Sequence, residues 1–444
     1  MIKIYVMSLG CPRNLLDSEV LEGLLEKKGY ALLDEAKGAD IAIVNTCGFI
    51  EDAKKESIDM ILALAELKKK GEVKKLIVTG CLSQRYPKEL QDEIGEIDAV
   101  FGTSDFSKIP SLAERILAGE KVKEVSLTPD FLYDDSFPRK RHTPPHYAYI
   151  KIQEGCANRC SYCVIPGIRG RLRSRSISSI ANEISSIRSK SGVKEAILIG
   201  QDITSFGVDI GGKPLLSSLI KEISPLLPDG WIRLLYTHPA RFDDELIDMI
   251  ASTENVCKYI DLPIQHINDT LLKNMARRVT RNEIERLIAR VRERIKGVVL
   301  RTSVIVGFPG ETEKIFGELL DFLRDVRFER LGAFTYSREE GTPAAGFAGH
   351  VPEKIKKERF DRVMKLQQAV CKDNNLKCLD KKLRVLVDEA VEDGGTRQFF
   401  GRSYMDAPEV DGGIYVAGDD INVGEFVDVR VTGAMEYDLI GEKE

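Results

Sequence analysis

The chain reads as an α/β multidomain protein: an N-terminal open parallel α/β sheet, a partial (β/α)6 barrel and a small C-terminal β-barrel. Three observations predict this. Strand and helix patterns alternate in two separate blocks, a proline-rich stretch divides the blocks, and the alternation gives way near residue 375 to short strands with glycine turns. A length of 444 residues exceeds one ordinary core and corresponds to about three domains. Hydrophobic and charged fractions of 43% and 30% are those of a soluble globular protein.

The first block runs strand Lys3 to Leu9, helix Asp17 to Lys28, strand Ile41 to Asn45, helix Ala53 to Lys70 and strand Lys75 to Thr79. This is the order of an open sheet with crossover helices, and we expect it to occupy residues 1–125. Residues 126–146 carry Pro129, Pro138, Pro144 and Pro145 among mixed charges, a linker composition. Beyond it, in 147–374, strands are expected near Tyr147, Ala196, Ile232, Tyr259, Val298 and Leu331. Helical stretches such as Leu215 to Ser224, Asp243 to Ala251, Arg281 to Ile295 and Glu313 to Val326 separate them. Six strand-helix units are fewer than the eight that close a barrel, hence the partial form.

A helix from Pro352 to Asn375 leads into the last segment, 375–444. Its strand patterns cover Leu383 to Asp388, Gln398 to Gly401, Ile414 to Ala417 and Phe426 to Val431, the spacing of a small barrel. The segment holds eight Lys and Arg against sixteen Asp and Glu, whereas the rest of the chain is slightly basic. A surface built for phosphate backbones should be positive, so the module suits a basic partner, although solubility alone also accounts for acidic charge. The acidic loop Asp406 to Asp411 and the pair Asp419-Asp420 are the expected contacts.

Chemistry enters with cysteine. The Met1 to Gly10 segment has no basic leader and no run of 18 apolar residues occurs, so a cytoplasmic protein without a membrane segment is expected, in which nine cysteines point to metal or redox work. Cys156, Cys160 and Cys163 follow the Tyr147 strand at a spacing that lets three thiolates converge on one face of an iron-sulfur cube. A 4Fe-4S cluster normally takes four thiolates, so three leave one iron for a small molecule. Zinc, the alternative, wants a second cysteine or histidine pair that this sequence does not offer. Cys11, Cys47 and Cys81 each directly follow a strand of the first block. Open parallel sheets bind ligands beyond the carboxyl ends of their strands, so these three form a second candidate triad. Cys257, Cys371 and Cys378 lie in apolar or helical contexts and read as buried structural thiols.

Other strand-end residues are candidates. Arg169, Arg171, Arg173 and Arg175 recur at every second position, so an extended segment would put them on one face to hold carboxylates or an anionic group; a solvated loop is the alternative. His238 and His266 suit either proton donation or a structural hydrogen bond. The Gly307 to Gly310 turn suggests backbone brought close to a ligand.

The cysteine spacing at 156–163 resembles that of radical S-adenosylmethionine enzymes, and the three-part layout with both triads resembles the methylthiotransferases over nearly the whole chain. That resemblance implies an N-terminal methylthiotransferase domain, a radical S-adenosylmethionine core and a C-terminal TRAM barrel. The segments Gly10 to Asn14 with Asp17 to Glu19, Tyr336 to Thr342, and Asp406 to Gly412 are similar to the branch acting on ribosomal protein S-twelve rather than on tRNA adenosine. It implies two 4Fe-4S clusters, on Cys11, Cys47 and Cys81 and on Cys156, Cys160 and Cys163, with S-adenosyl-L-methionine as cofactor. It further implies Gln201, Gln265 and Gly307 as cofactor contacts, although Ser303 to Gly310 departs from the usual glycine-rich form of that strand. The implied reaction adds a methylthio group to an aspartate β-carbon through a 5′-deoxyadenosyl radical, the second cluster carrying the sulfur. Implied partners are ribosomal protein S-twelve, free or in the small subunit, and an electron donor such as flavodoxin or ferredoxin; the sulfur donor is left open.

Overall fold

The computed structural model describes residues 1–393 and 396–444 and divides into two units. The first comprises Met1–His142, Lys151–Glu183 and Glu339–Thr342. Its sheet contains β1 (Lys3–Ser8), β2 (Ala31–Leu33), β3 (Ile41–Thr46), β4 (Lys75–Gly80), β5 (Ile97–Phe101) and β6 (Val122–Glu124), all parallel, in the order β2-β1-β3-β4-β5-β6. Every residue of β3 and β5 is buried, as expected for strands covered on both faces. Helices Pro12–Lys27 and Glu51–Lys69 are among those that connect the strands. The first begins at Pro12, five residues before the expected Asp17. Proline is well placed there, because its missing N–H would have no partner in the first turn, while the Cys11 carbonyl accepts from the Asn14 and Leu15 N–H groups.

The strand order reverses between β1 and β3, and such a switch point opens a crevice at the strand ends where ligands bind. After β7 (Tyr147–Lys151), which joins the second unit's sheet, β8 (Gln153–Glu154) and β9 (Arg173–Ser174) pair antiparallel and close the base of the loop that carries Cys156, Cys160 and Cys163. A short helix, Ile165–Arg169, follows the cysteines.

The second unit comprises Thr143–Ile150, Ile184–Arg338 and Pro343–Glu444. Strands β7, β10 (Glu195–Ile199) and β11 (Trp231–Leu234) form one ladder, and β12 (Tyr259–Asp261), β13 (Val299–Val306) and β14 (Arg330–Thr335) another. A parallel bridge from Ile232 to Val256 joins the two. The six strands thus lie in chain order, as a partial (β/α)6 barrel requires. Helix Glu353–Leu376 leads to a closed barrel of β15 (Lys382–Asp393), β16 (Thr396–Arg402), β17 (Ile414–Ala417), β18 (Phe426–Ala434) and β19 (Leu439–Lys443), ordered β15-β16-β17-β19-β18. The sequence reading lacked β2, β5 and β6 of the first sheet, the two-residue β8 and β9, and β19: with only Leu439 and Gly441 facing inward, β19 carries almost no hydrophobic alternation of its own.

Buried charge ties this small barrel to the strands of its own unit. Glu195, fully buried, accepts from Arg233 and Arg402, each at 2.6 Å. Asp406 is equally buried and pairs with Arg330 at 2.5 Å, and Asp411 accepts from the Tyr259 hydroxyl at 2.6 Å and from Arg301 at 3.3 Å. The expectation that the Asp406 to Asp411 loop is a partner-facing acidic surface is therefore corrected for these two residues. Their carboxylates are spent on internal cations, because an unpaired buried charge would be far costlier. Asp419 and Asp420 are exposed, as expected.

Candidate iron-sulfur centres

The sheet brings Cys11, Cys47 and Cys81 together although the chain separates them. Cys47 and Cys81 directly follow β3 and β4, and Cys11 stands three residues beyond the end of β1; the three strands are adjacent, and the first two flank the switch point. Two asparagines, which the sequence reading passed over, fix the strand ends. Asn14, fully buried, donates to the carbonyls of Leu9 at 3.0 Å and Thr46 at 2.8 Å, and Asn45 donates to the Asn14 carbonyl at 2.8 Å and to Ser18 Oγ at 2.9 Å. For Asn45 the signal was a polar residue placed where a buried parallel strand ends, whereas Asn14, in the first turn of helix Pro12–Lys27, had no such signal. Ser57 Oγ accepts from the Cys47 N–H at 3.0 Å and donates to its carbonyl at 2.9 Å. Space is reserved as well: Gly10 has φ +89°, and a Cβ there would lie 2.8 Å from Cys47 Cβ and 3.1 Å from its sulfur.

The thiols differ in character. Burial would raise Cys11, but the Arg13 guanidinium, charged and hydrogen-bonded to it, outweighs that with help from the Asn14 N–H and Arg169 and brings its pKa to about 7. Burial, then the neighbouring Cys81, pushes Cys47 up to about 11, and burial raises Cys81 despite Arg169. Thiols that burial and mutual repulsion hold protonated are those that a cationic cluster core would deprotonate on binding. All nine cysteines are free thiols.

The second triad sits in the loop between β8 and β9. Burial pushes Cys163 up to about 12, followed by the charge of Cys160 and, more weakly, Cys156, so the three sulfurs feel one another. The Asn158 N–H points to Cys156 Sγ at 3.4 Å. Gly155, φ +74°, starts the loop where a Cβ would lie 2.6 Å from the Arg171 carbonyl carbon. Both donor sets, all sulfur with backbone N–H groups turned towards it, fit iron-sulfur clusters. Among the described residues, no three His, Cys, Asp or Glu side chains are gathered as a single-ion site.

The two cysteine loops touch. Val164 and Ile168 of the second loop pack on Cys81, and Thr103 Oγ1 donates to the Ile168 carbonyl at 2.6 Å. Arg169 reaches Cys81 Sγ at 3.3 Å and Asp17 at 2.5 Å, and it also donates to Asn14. Lys151 donates to Asp17 at 2.5 Å and Glu154 at 2.8 Å.

The arginine series does not share a face. Arg169 ends the short helix, the backbone turns at Gly170 (φ +75°) and bends at Arg171, and only Arg173 of the four lies in a strand, so the extended segment that would align them is not formed. Arg169 is buried beside Cys81, Arg175 is buried against Glu183 at 2.5 Å, Arg173 is half-buried and Arg171 is exposed. In the second unit, His238 Nδ1 accepts from the Ala240 N–H at 3.2 Å, and His266 Nδ1 from Ile267 at 2.9 Å and Asn268 at 3.0 Å, the structural role. Gly307 has φ +76°, and a Cβ there would lie 3.1 Å from Lys356 Cδ, so packing by itself favours glycine at this position. Gln201 follows β10, and Gln265 adopts φ +69° while bridging to Val304, a conformation that a non-glycine residue keeps only where its surroundings enforce it.

Residues 3–102 match the model of an uncharacterized protein family, UPF0004, residues 150–323 the radical SAM superfamily, and residues 381–443 the TRAM domain. The ribosomal protein uS12 methylthiotransferase RimO of Heliobacterium modesticaldum is 48% identical over 441 residues, covering 99% of this chain and 95% of its own. That of Desulforamulus reducens is 47% identical over 447 residues, covering 100% and 99%. The chain belongs to the RimO methylthiotransferase family. Like other radical SAM proteins, a RimO-family chain works with a 4Fe-4S cluster and S-adenosylmethionine. The radical S-adenosylmethionine methyltransferase TsrM of Kitasatospora setae shares the fold at a TM-score of 0.57 and 18% identity, covering 77% of this chain and 76% of that one. No helix among the described residues of this RimO-family chain is long and apolar enough to cross a membrane.

Proposed function

We propose that the chain transfers a methylthio group to the β-carbon of one aspartate of ribosomal protein uS12, using two 4Fe-4S clusters and S-adenosyl-L-methionine. The observation that carries this reading is the packing of the Val164 to Arg169 segment on Cys81, because a reaction that couples carbon activation to sulfur delivery needs both centres in one compact body. When bound, the clusters and S-adenosylmethionine supply the radical and the sulfur chemistry, which no side chain can provide.

The protein holds and orients them. Cys156, Cys160 and Cys163 are the ligands of the cluster that binds S-adenosylmethionine, and Cys11, Cys47 and Cys81 those of the sulfur-carrying one. Asn14, Asn45 and Ser57 keep the strand ends in register beneath Cys11, Cys47 and Cys81. Gln201, Gln265 and Gly307 are carried as cofactor contacts by resemblance; the strained Gln265 backbone favours that residue among them, whereas packing against Lys356 gives Gly307 a structural reason of its own.

Substrate choice rests on the full-length kinship with uS12 enzymes and on the acidic C-terminal barrel, which favours a Lys- and Arg-rich ribosomal protein over tRNA. The protein is expected to act in the cytoplasm on uS12, free or in the small subunit, with a flavodoxin or ferredoxin as electron donor. The test is to incubate the anaerobically reconstituted enzyme with ribosomal protein uS12 and with tRNA side by side and to weigh both products. A methylthio mass gain on the ribosomal protein alone supports the reading. Methylthioadenosine in tRNA beside an unmodified ribosomal protein overturns it.

A further inference from the structure

Arg169 is fixed in an unusual place. It ends the short helix after Cys163, yet its guanidinium is buried beside a cysteine of the other triad: Nη2 donates to Cys81 Sγ at 3.3 Å and to Asn14 Oδ1, and Nη1 to Asp17 at 2.5 Å and Glu154 at 3.4 Å. Lys151 completes the group through Asp17 and Glu154. Two cations and two carboxylates, all buried, therefore balance, and beyond that balance Nη2 of Arg169 donates to Asn14 Oδ1 and to the Cys81 sulfur. Arg13 stands on the Cys11 side, where its charge acts on Cys11 and, more weakly, on Cys163.

We propose that Arg169 is a positioning residue that sets the reduction potential of the centre on Cys11, Cys47 and Cys81, through its hydrogen bond to the Cys81 sulfur and the balanced charge it maintains behind it. The inference rests on the two-cluster reading above. Reduction adds negative charge to a cluster, and hydrogen bonds to its sulfurs together with nearby positive charge stabilise that charge and raise the potential. Without Arg169, Asp17 and Glu154 face the centre with Lys151 as their one remaining partner in this group, so both effects lower the potential. Without the Asp17 charge, the balance turns positive and the potential rises. A guanidinium serves this place better than an ammonium, because its planar fork reaches the sulfur and the carboxylate at once.

The experiment is a potentiometric titration, followed by electron paramagnetic resonance, of the full-length protein reconstituted with both clusters. The two signals are distinguished by adding S-adenosylmethionine, which perturbs the centre on Cys156, Cys160 and Cys163. In Arg169→Met the S-adenosylmethionine-insensitive signal is expected to titrate at a more negative potential than in the unaltered protein, in Asp17→Asn at a more positive one, and in Arg169→Lys between the unaltered protein and Arg169→Met. Iron content is measured on each sample. If Arg169→Met binds less iron, Asp17→Asn and Arg169→Lys still carry the sign test. Reduced occupancy with an unmoved potential in the centres that form, or an unmoved potential in Asp17→Asn, overturns the proposal and leaves Arg169 a merely structural residue. A single centre of about four irons in the unaltered protein would instead overturn the two-cluster reading beneath it.

Discussion

Cys156, Cys160 and Cys163 lie in one loop between two strands of a small ribbon, whereas Cys11, Cys47 and Cys81 are carried by three strands of a six-stranded sheet. The first triad is a property of local sequence. The second exists only once β1, β3 and β4 are side by side, and it depends on groups with no chemistry of their own, such as Asn14, Asn45 and the bare Cα of Gly10. A local loop can gather its thiols around a nascent cluster, while the distributed site must be prefolded. The two should therefore fail in different ways.

The largest effect separates them outright. Alanine at Cys156, Cys160 or Cys163 should abolish cleavage of S-adenosylmethionine to 5′-deoxyadenosine. Alanine at Cys11, Cys47 or Cys81 should abolish methylthio product but leave measurable cleavage, read by chromatography of the nucleoside. Product made at the normal rate without Cys47 would erase the distinction.

A second change should disturb neither centre. Glu195 is buried between Arg233 and Arg402 in the other unit, and Glu195→Ala leaves Arg233 without its carboxylate while Arg402 keeps Asp388, at a cost of about 3–5 kcal/mol. Denaturant unfolding should detect the loss, and the optical spectrum of the bound clusters should not change.

Glycine substitutions sharpen the comparison further. Gly10→Ala forces a positive φ on alanine and crowds Cys47, with a strain of about 1–3 kcal/mol. It should reduce iron in the distributed site while S-adenosylmethionine cleavage persists. Gly155→Ala, where the Cβ meets the Arg171 carbonyl group, should do the reverse and impair cleavage first. Equal effects of both on both centres would show the sites to be one cooperative assembly.

The smallest effect concerns the exposed acids. Asp419→Asn with Asp420→Asn should weaken binding of the ribosomal protein by at most about 1 kcal/mol at low salt, an effect that fades as salt screens it. Titration at several ionic strengths measures this. Asp406 and Asp411 are unsuitable for that test, since their loss would break the pairs with Arg330 and Arg301 instead.

The same contrast governs what could be read before folding. The 156–163 spacing is legible because its ligands are near neighbours, and the strand-end position of the other three cysteines is legible because a parallel sheet has one ligand-binding edge. Hydrophobic alternation sufficed for most strands. It missed β2, β6, β8 and β9, which are only two or three residues long, β5, whose run Asp98 breaks, and β19, whose Gly441 contributes no side chain to the pattern. Spacing also misjudged Arg169 to Arg175, since periodicity of two has meaning only in an extended segment and the backbone turns at Gly170, φ +75°, directly after the short helix. The buried role of Asp406 and Asp411 was hidden for a related reason: their partners, Arg330, Tyr259 and Arg301, lie on strands far away in sequence. Charge counting sees the acids without seeing what neutralises them.

The central claim, two separate centres built by two routes, is tested most directly by counting iron in three anaerobically reconstituted proteins: the unaltered chain, the chain with Cys11, Cys47 and Cys81 all replaced by alanine, and the chain with Cys156, Cys160 and Cys163 so replaced. Iron analysis with Mössbauer spectroscopy should give about eight irons as 4Fe-4S clusters in the first and about four in each of the others. About four irons in the unaltered chain, or no loss on removing the strand-end cysteines, would contradict the account.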